Sequence, residues 1–99
     1  MKTTIQPLSK SQENKEYKVI SVNVSKEIYH RILDLGIIPG TIIKTLQKNP
    51  SGDPVAYLVR GSVIALRNKD SKKIIVESIY FFHGVDSDMS LIKKSSKFK

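Results

Sequence analysis

An all-β fold is the prediction of this chain: a small barrel of five or six strands, with one short helix between the first and second. Three observations lead there. Residues 17–24 show the two-residue alternation of a half-buried strand, with Ile20, Val22 and Val24 separated by Ser21 and Asn23. Four β-branched or apolar runs follow after residue 41, punctuated by Pro- and Gly-rich corners. Helical periodicity appears in one short segment, so a single helix accompanies at least five strands.

The helix comes first after the opening strand. Ser25 is placed as its N-cap, and Glu27 in the first turn suits the positive end of the helix dipole. Ile28, Ile32 and Leu35 fall at i, i+4 and i+7, with Tyr29 and Leu33 beside them, whereas His30, Arg31 and Asp34 take the solvent arc. Gly36 is placed as the left-handed residue that stops the helix, and Pro39-Gly40 turns the chain into the next strand. A helix of about ten residues is too short to stand alone in water, so it must pack on the strands as a plug.

"TIIKTLQK", "VAYLV", "SVIALR" and "IIVE" supply the remaining strands. "NPSGDP", residues 49–54, is turn chemistry throughout, and Arg60-Gly61 fits a two-residue hairpin because glycine accepts positive φ. "NKDSKK" is a polar corner with room for one helical turn. Strands this short make no two-sheet sandwich with a large core, whereas a small barrel removes exposed edges. The expected organisation is therefore a flexible polar leader over residues 1–16, one domain over 17–79, and a strand extension with a disordered Lys-rich tail over 80–99.

Composition excludes several function classes. The 99 residues contain no cysteine, which removes disulfide frameworks, zinc ribbons and thiolate-ligated clusters and favours a reducing compartment. There is no apolar run of spanning length, and the N-terminal stretch has no apolar core of a signal peptide, so a cytoplasmic location is expected. The net charge of +8 concentrates in residues 17–79, where ten basic groups face five acidic ones. That balance suits an anionic partner or simply a soluble surface.

Catalytic patterns are missing. There is no P-loop, no dinucleotide glycine fingerprint, no nucleophile elbow and no His-Glu-x-x-His, so the expectation is a protein without enzymatic activity, cofactor or metal site. His30 and His83 are far apart, and Asp86-Ser87-Asp88 lacks the glycine and distal glutamate of a calcium loop. Small barrels do bind nucleic acid, but only Tyr57 falls in a hairpin here and no basic–aromatic alternation repeats, so nucleic acid is not an expected partner. The Ile79–Phe82 run is apolar and offers weak self-association.

Read together, several of these pieces resemble a known family. A helix ending Ile32-Leu33-Asp34-Leu35-Gly36, the Pro39-Gly40 turn, Gly52-Asp53-Pro54, Gly61, Ala65-Leu66-Arg67 and Ile74 to Val76 occur in the order and spacing of the FeoA family of bacterial ferrous iron uptake. Two departures are a Leu-x-x-Leu motif that here begins with Ile32, and the additional leader and tail. The resemblance implies an SH3-like barrel related to the C-terminal domain of iron-dependent repressors. It also implies an accessory role beside a FeoB-type membrane transporter with a cytoplasmic GTPase domain. The alternatives are a nucleic-acid-binding barrel or a transition-metal-responsive module. For docking, the candidate surface is Ile37, Ile38 and Pro39 with Asp53 and Pro54, flanked by Arg60 and Arg67 for an acidic partner. The competing roles are closure of the barrel end by Ile37 or Ile38, and a clamp from Arg67 to Asp53 or loop carbonyls.

Overall fold

The computed structural model describes residues 3–79. Six strands form one antiparallel sheet: β1 Ile5–Pro7, β2 Glu16–Val22, β3 Ile42–Thr45, β4 Val55–Val59, β5 Ser62–Leu66 and β6 Ile74–Ser78. Their spatial order is β1-β6-β2-β3-β4-β5. Helix α1 runs Lys26–Asp34 between β2 and β3, and a single turn, α2 Asn68–Ser71, links β5 to β6. The all-β class stands, but the helix expected between the first and second strands lies between the second and third, because β1 adds a strand before it. Among the described residues the hydrogen-bond ladder stays open, with β1 and β5 at its two edges.

One face of the sheet curls around a core to which every strand from β2 to β6 contributes. Val55, Tyr57 and Val59 of β4 alternate inward, opposite Ile43 of β3 and Leu66 of β5, with Val19, Ile74 and Val76 completing the interior. Ile32 is the fully buried residue of α1, and Ile28 and Leu35 pack half-buried against the same core. The i, i+4, i+7 face is therefore the buried one.

Residues 5–11 correct the expectation of a flexible leader. β1 pairs antiparallel with β6 in the register Ile5↔Glu77 and Pro7↔Ile75. A 3-10 turn, Leu8–Lys10, then drives Leu8 into the core at 0% exposure and packs against α2. Ser11 follows it inside, its hydroxyl 2.6 Å from that of Thr45. Pro7 is tolerated because β1 is an edge strand, where a missing N–H breaks no ladder.

The opening strand also differs in which residues it buries. Tyr17 and Val19 point inward, but the pairing of β2 with β6 shifts between Val19 and Ser21, and Ile20 stands 39% exposed. A bulge inserts one residue and reverses the alternation, so strict two-residue counting places Ile20 on the wrong side.

Tyr57 is the largest fully buried side chain, and its hydroxyl has no hydrogen-bond partner among the described residues. Burial pushes the phenol above its usual pKa; the Ser71 hydroxyl nearby opposes that shift and the Asp53 carboxylate adds to it. Removing a buried, unpaired hydroxyl while keeping the ring costs little, so Tyr57→Phe is expected to change stability by less than about 1 kcal/mol or to raise it. Because the folded state resists ionising this phenol, stability falls as pH rises through the ordinary tyrosine value of about 10. Denaturant melts of the two forms across the alkaline range check this, with the variant showing the shallower loss.

Candidate docking face

The connector between α1 and β3 is built almost entirely from local rules. Leu35 is the C-cap of α1 and Gly36 follows at φ +87°. The Gly36 N–H donates to the Leu33 carbonyl at 2.8 Å, and the Ile37 N–H to the Ile32 carbonyl at 3.2 Å. This is a Schellman closure, which brings the residue after the glycine against the helix's last buried turn. Ile37 accordingly enters the core at 0% exposure beside Ile32. Ile37 therefore leaves the candidate surface and closes the end of the fold.

Ile38 and Pro39 go the other way. Ile38 to Thr41 form a β-turn in which the Thr41 N–H donates to the Ile38 carbonyl at 2.9 Å, with Pro39 and Gly40 (φ +96°) at its centre. That is the arrangement of a type II turn. Thr41 stiffens it: its hydroxyl donates to the Gly36 carbonyl at 2.9 Å and accepts the Ile38 N–H at 3.2 Å. Gly40 and Thr41 are also bonded to Val19 across the sheet. The result is a fixed tip on which Ile38 and Pro39 are exposed.

Arg60 joins this tip. The Arg60-Gly61 hairpin has positive φ at both residues, +52° and +82°, as a two-residue type I′ loop requires. The Arg60 side chain lies over Gly36 and donates from Nε to its carbonyl at 3.2 Å. The structure thus brings together Ile38, Pro39 and Arg60.

The other candidates lie elsewhere. The Asp53 carboxylate accepts the Asn68 N–H at 3.0 Å, while the Asn68 amide donates to the Gly52 carbonyl at 2.9 Å. Asp53 therefore caps the start of α2 in trans, and the clamp between loop and corner is Asn68 rather than the neighbouring Arg67. Pro54 is exposed beside it. By analogy with ordinary N-caps, Asp53→Ala is expected to lower stability by about 1 kcal/mol, with Asp53→Asn retaining most of it because an acceptor oxygen survives. Chemical denaturation of the three forms measures this. Arg67 is exposed at the opposite end of β5 from Arg60.

Arg67 instead borders a cleft of about 100 Å³ between α1 and the β5–α2 corner. Ile28, Arg31 and Leu35 form one wall; Ala65, Leu66, Arg67 and Asp70 form the other. Sequence reasoning leaves Arg31 on the solvent arc of the helix and misses this pairing, since only tertiary packing sets α1 beside β5. Among the described residues no group of three His, Asp or Glu side chains is placed to hold a metal ion. No described helix is long and apolar enough to cross a membrane.

A single curled antiparallel sheet with its short plug helix defines a small SH3-like domain. The sequence profile of the FeoA domain matches residues 6–78, so the chain belongs to the FeoA family. That match begins within the segment expected to be a leader, in accord with the pairing of β1. No curated protein sequence matches the chain. A FeoA-like protein of Clostridium acetobutylicum is 32% identical, with a TM-score of 0.71 over 84% of this chain and 95% of that one. The zinc-complexed FeoA of Stenotrophomonas maltophilia, an SH3 domain protein, is 27% identical with a TM-score of 0.62, over 70% of this chain and 86% of the other. IdeR of T. acidophilum shares the fold at 21% identity and a TM-score of 0.68, where 77% of this chain matches 35% of that one.

Proposed function

We propose that this protein is a non-enzymatic cytoplasmic accessory of bacterial ferrous iron uptake that docks on the GTPase region of a FeoB-type transporter. Family membership supports the iron transport setting, and the zinc-complexed Stenotrophomonas protein has itself been put forward as a ferrous iron transport activating factor. The observation that carries the docking reading is the Ile38–Pro39 tip. An apolar residue held outward on a doubly hydrogen-bonded turn, next to the Arg60 guanidinium, is a preorganised contact that loses little entropy on binding. Pro54 and Arg67 remain exposed as secondary contacts, whereas Asp53 is committed to Asn68.

The test is co-purification of the full chain with the transporter and with its soluble GTPase region. Ile38→Glu is expected to leave the melting temperature within a few degrees, because the side chain is outside the core, and to weaken association by at least about tenfold through an unpaired charge at the contact. Association untouched by Ile38→Glu refutes the tip as the contact. No association of the unmodified protein, together with normal growth on ferrous iron after deletion, refutes the role.

A further inference from the structure

We infer that the groove between β5 and α1 receives an extended, acidic segment of a partner protein, which adds to the sheet as a further strand. This deepens the docking reading and rests on it.

The first argument is the state of the β5 edge. The Arg60-Gly61 loop makes Val59 and Ser62 the hydrogen-bonded pair that closes the hairpin, and such pairs recur at Tyr57–Ile64 and Val55–Leu66. The N–H and C=O groups of Val63 and Ala65 therefore point away from β4, and no described strand lies on that side. Edge strands are ordinarily blunted by a charge, a proline or a bulge. β1, the opposite edge, is three residues long and contains Pro7. β5 reads Ser-Val-Ile-Ala-Leu in unbroken register, with Val63 at 66% exposure, and carries none of these devices.

The second argument is what lies beside that edge. The cleft lined by Ile28, Leu35 and Ala65 meets the C-terminal end of that edge, at Ala65 and Leu66. Its volume of about 100 Å³ is well below the few hundred Å³ of a small-molecule site and suits a single apolar side chain. A strand added to β5 directs alternate side chains to opposite faces, so one residue enters the cleft while its neighbours meet the rim. That rim carries the exposed guanidinium groups of Arg31 and Arg67 against the single carboxylate of Asp70. The matching ligand has an apolar anchor flanked by carboxylates, which arginine engages in bidentate pairs. A second copy of this chain is a poor match. Pairing two β5 strands about Ile64 sets Arg67 of each copy beside the Arg60-Gly61 turn of the other, placing like charges at both ends.

The experiment uses the full ¹⁵N-labelled chain and a short blocked peptide of alternating valine and glutamate, with the valine–lysine peptide as control. The valine–glutamate peptide is expected to shift the Val63 and Ala65 amides and the Arg31 and Arg67 side-chain signals, and the control to leave them in place. Val63→Pro removes an N–H that β4 does not use, so the hairpin survives while strand addition is blocked. The Arg31→Glu, Arg67→Glu pair leaves the backbone untouched and is expected to reverse the preference between the two peptides, with at least about a tenfold loss for the valine–glutamate peptide. Both variants are also assayed for transporter association. Loss in both supports the groove; retention in both overturns it while leaving the docking reading intact. If the unmodified chain fails to associate with the transporter, the docking reading falls and the peptide titration alone decides the groove. Absence of peptide shifts at Val63 and Ala65 overturns it, as does concentration-dependent dimerisation abolished by Val63→Pro.

Discussion

Gly36→Ala lowers the stability of this protein by about 2 to 3 kcal/mol, read as a reduced midpoint in chemical denaturation. Two separate costs combine. Position 36 sits at φ +87°, where any side chain with a Cβ is strained by about 1 to 2 kcal/mol. A Cβ there also lies 2.8 Å from Arg60 Cδ and 2.9 Å from its Nε, so the arginine must leave and its bond to the Gly36 carbonyl is lost. The two contributions separate in a double-mutant cycle. Arg60 is an exposed, flexible side chain, so Arg60→Ala in the Gly36→Ala background recovers the steric part and leaves the backbone part. If the cycle shows full recovery, the left-handed strain is not the principal cost. If Gly36→Ala is neutral, the Schellman closure does not hold the helix end.

Ile37→Ala and Ile38→Ala are expected to differ sharply although the residues are adjacent and identical. Ile37 is 0% exposed at the junction of helix and sheet, and truncating it leaves a cavity beside Ile32, at a cost of about 2 to 5 kcal/mol. Ile38, 39% exposed on the turn, is expected to cost less than about 1 kcal/mol. Thermal melts of the two variants test the contrast directly. For a domain this size each kcal/mol moves the melting temperature by about 4 to 8 °C, so the difference is far outside measurement scatter. Equal effects would mean that the connector is not divided into an inward and an outward residue.

That division was legible in part before any tertiary contact. A glycine stop predicts the left-handed cap, and the cap places the following residue against the helix's last apolar turn; Ile32 and Ile37 hold those two positions. What the pattern does not reveal is that Ile38 follows the Pro39-Gly40 turn outward, because its exposure depends on Thr41 and on the sheet bonds of Gly40 and Thr41 to Val19. Likewise Asn68 and Arg67 are neighbours in sequence, and only the packing of the 49–54 loop against α2 decides which of them meets Asp53.

The local elements followed from the sequence by itself: α1 and its stop, the two-residue hairpin, the turn-rich 49–54 loop, the all-β class and the family resemblance. Each rests on interactions within a few residues, where periodicity and positive-φ glycines act directly. Tertiary structure alone decided the rest. β1 pairs with a strand about seventy positions away, so a three-residue segment with one buried anchor, Leu8, carries no periodicity of its own. The bulge that turns Ile20 outward arises where β2 must follow β6. The β5–α1 groove, with Arg31 and Arg67 on facing walls, exists because the plug helix comes to rest beside an edge that no described strand covers. Non-local pairing and packing set these features, and a one-dimensional pattern records neither.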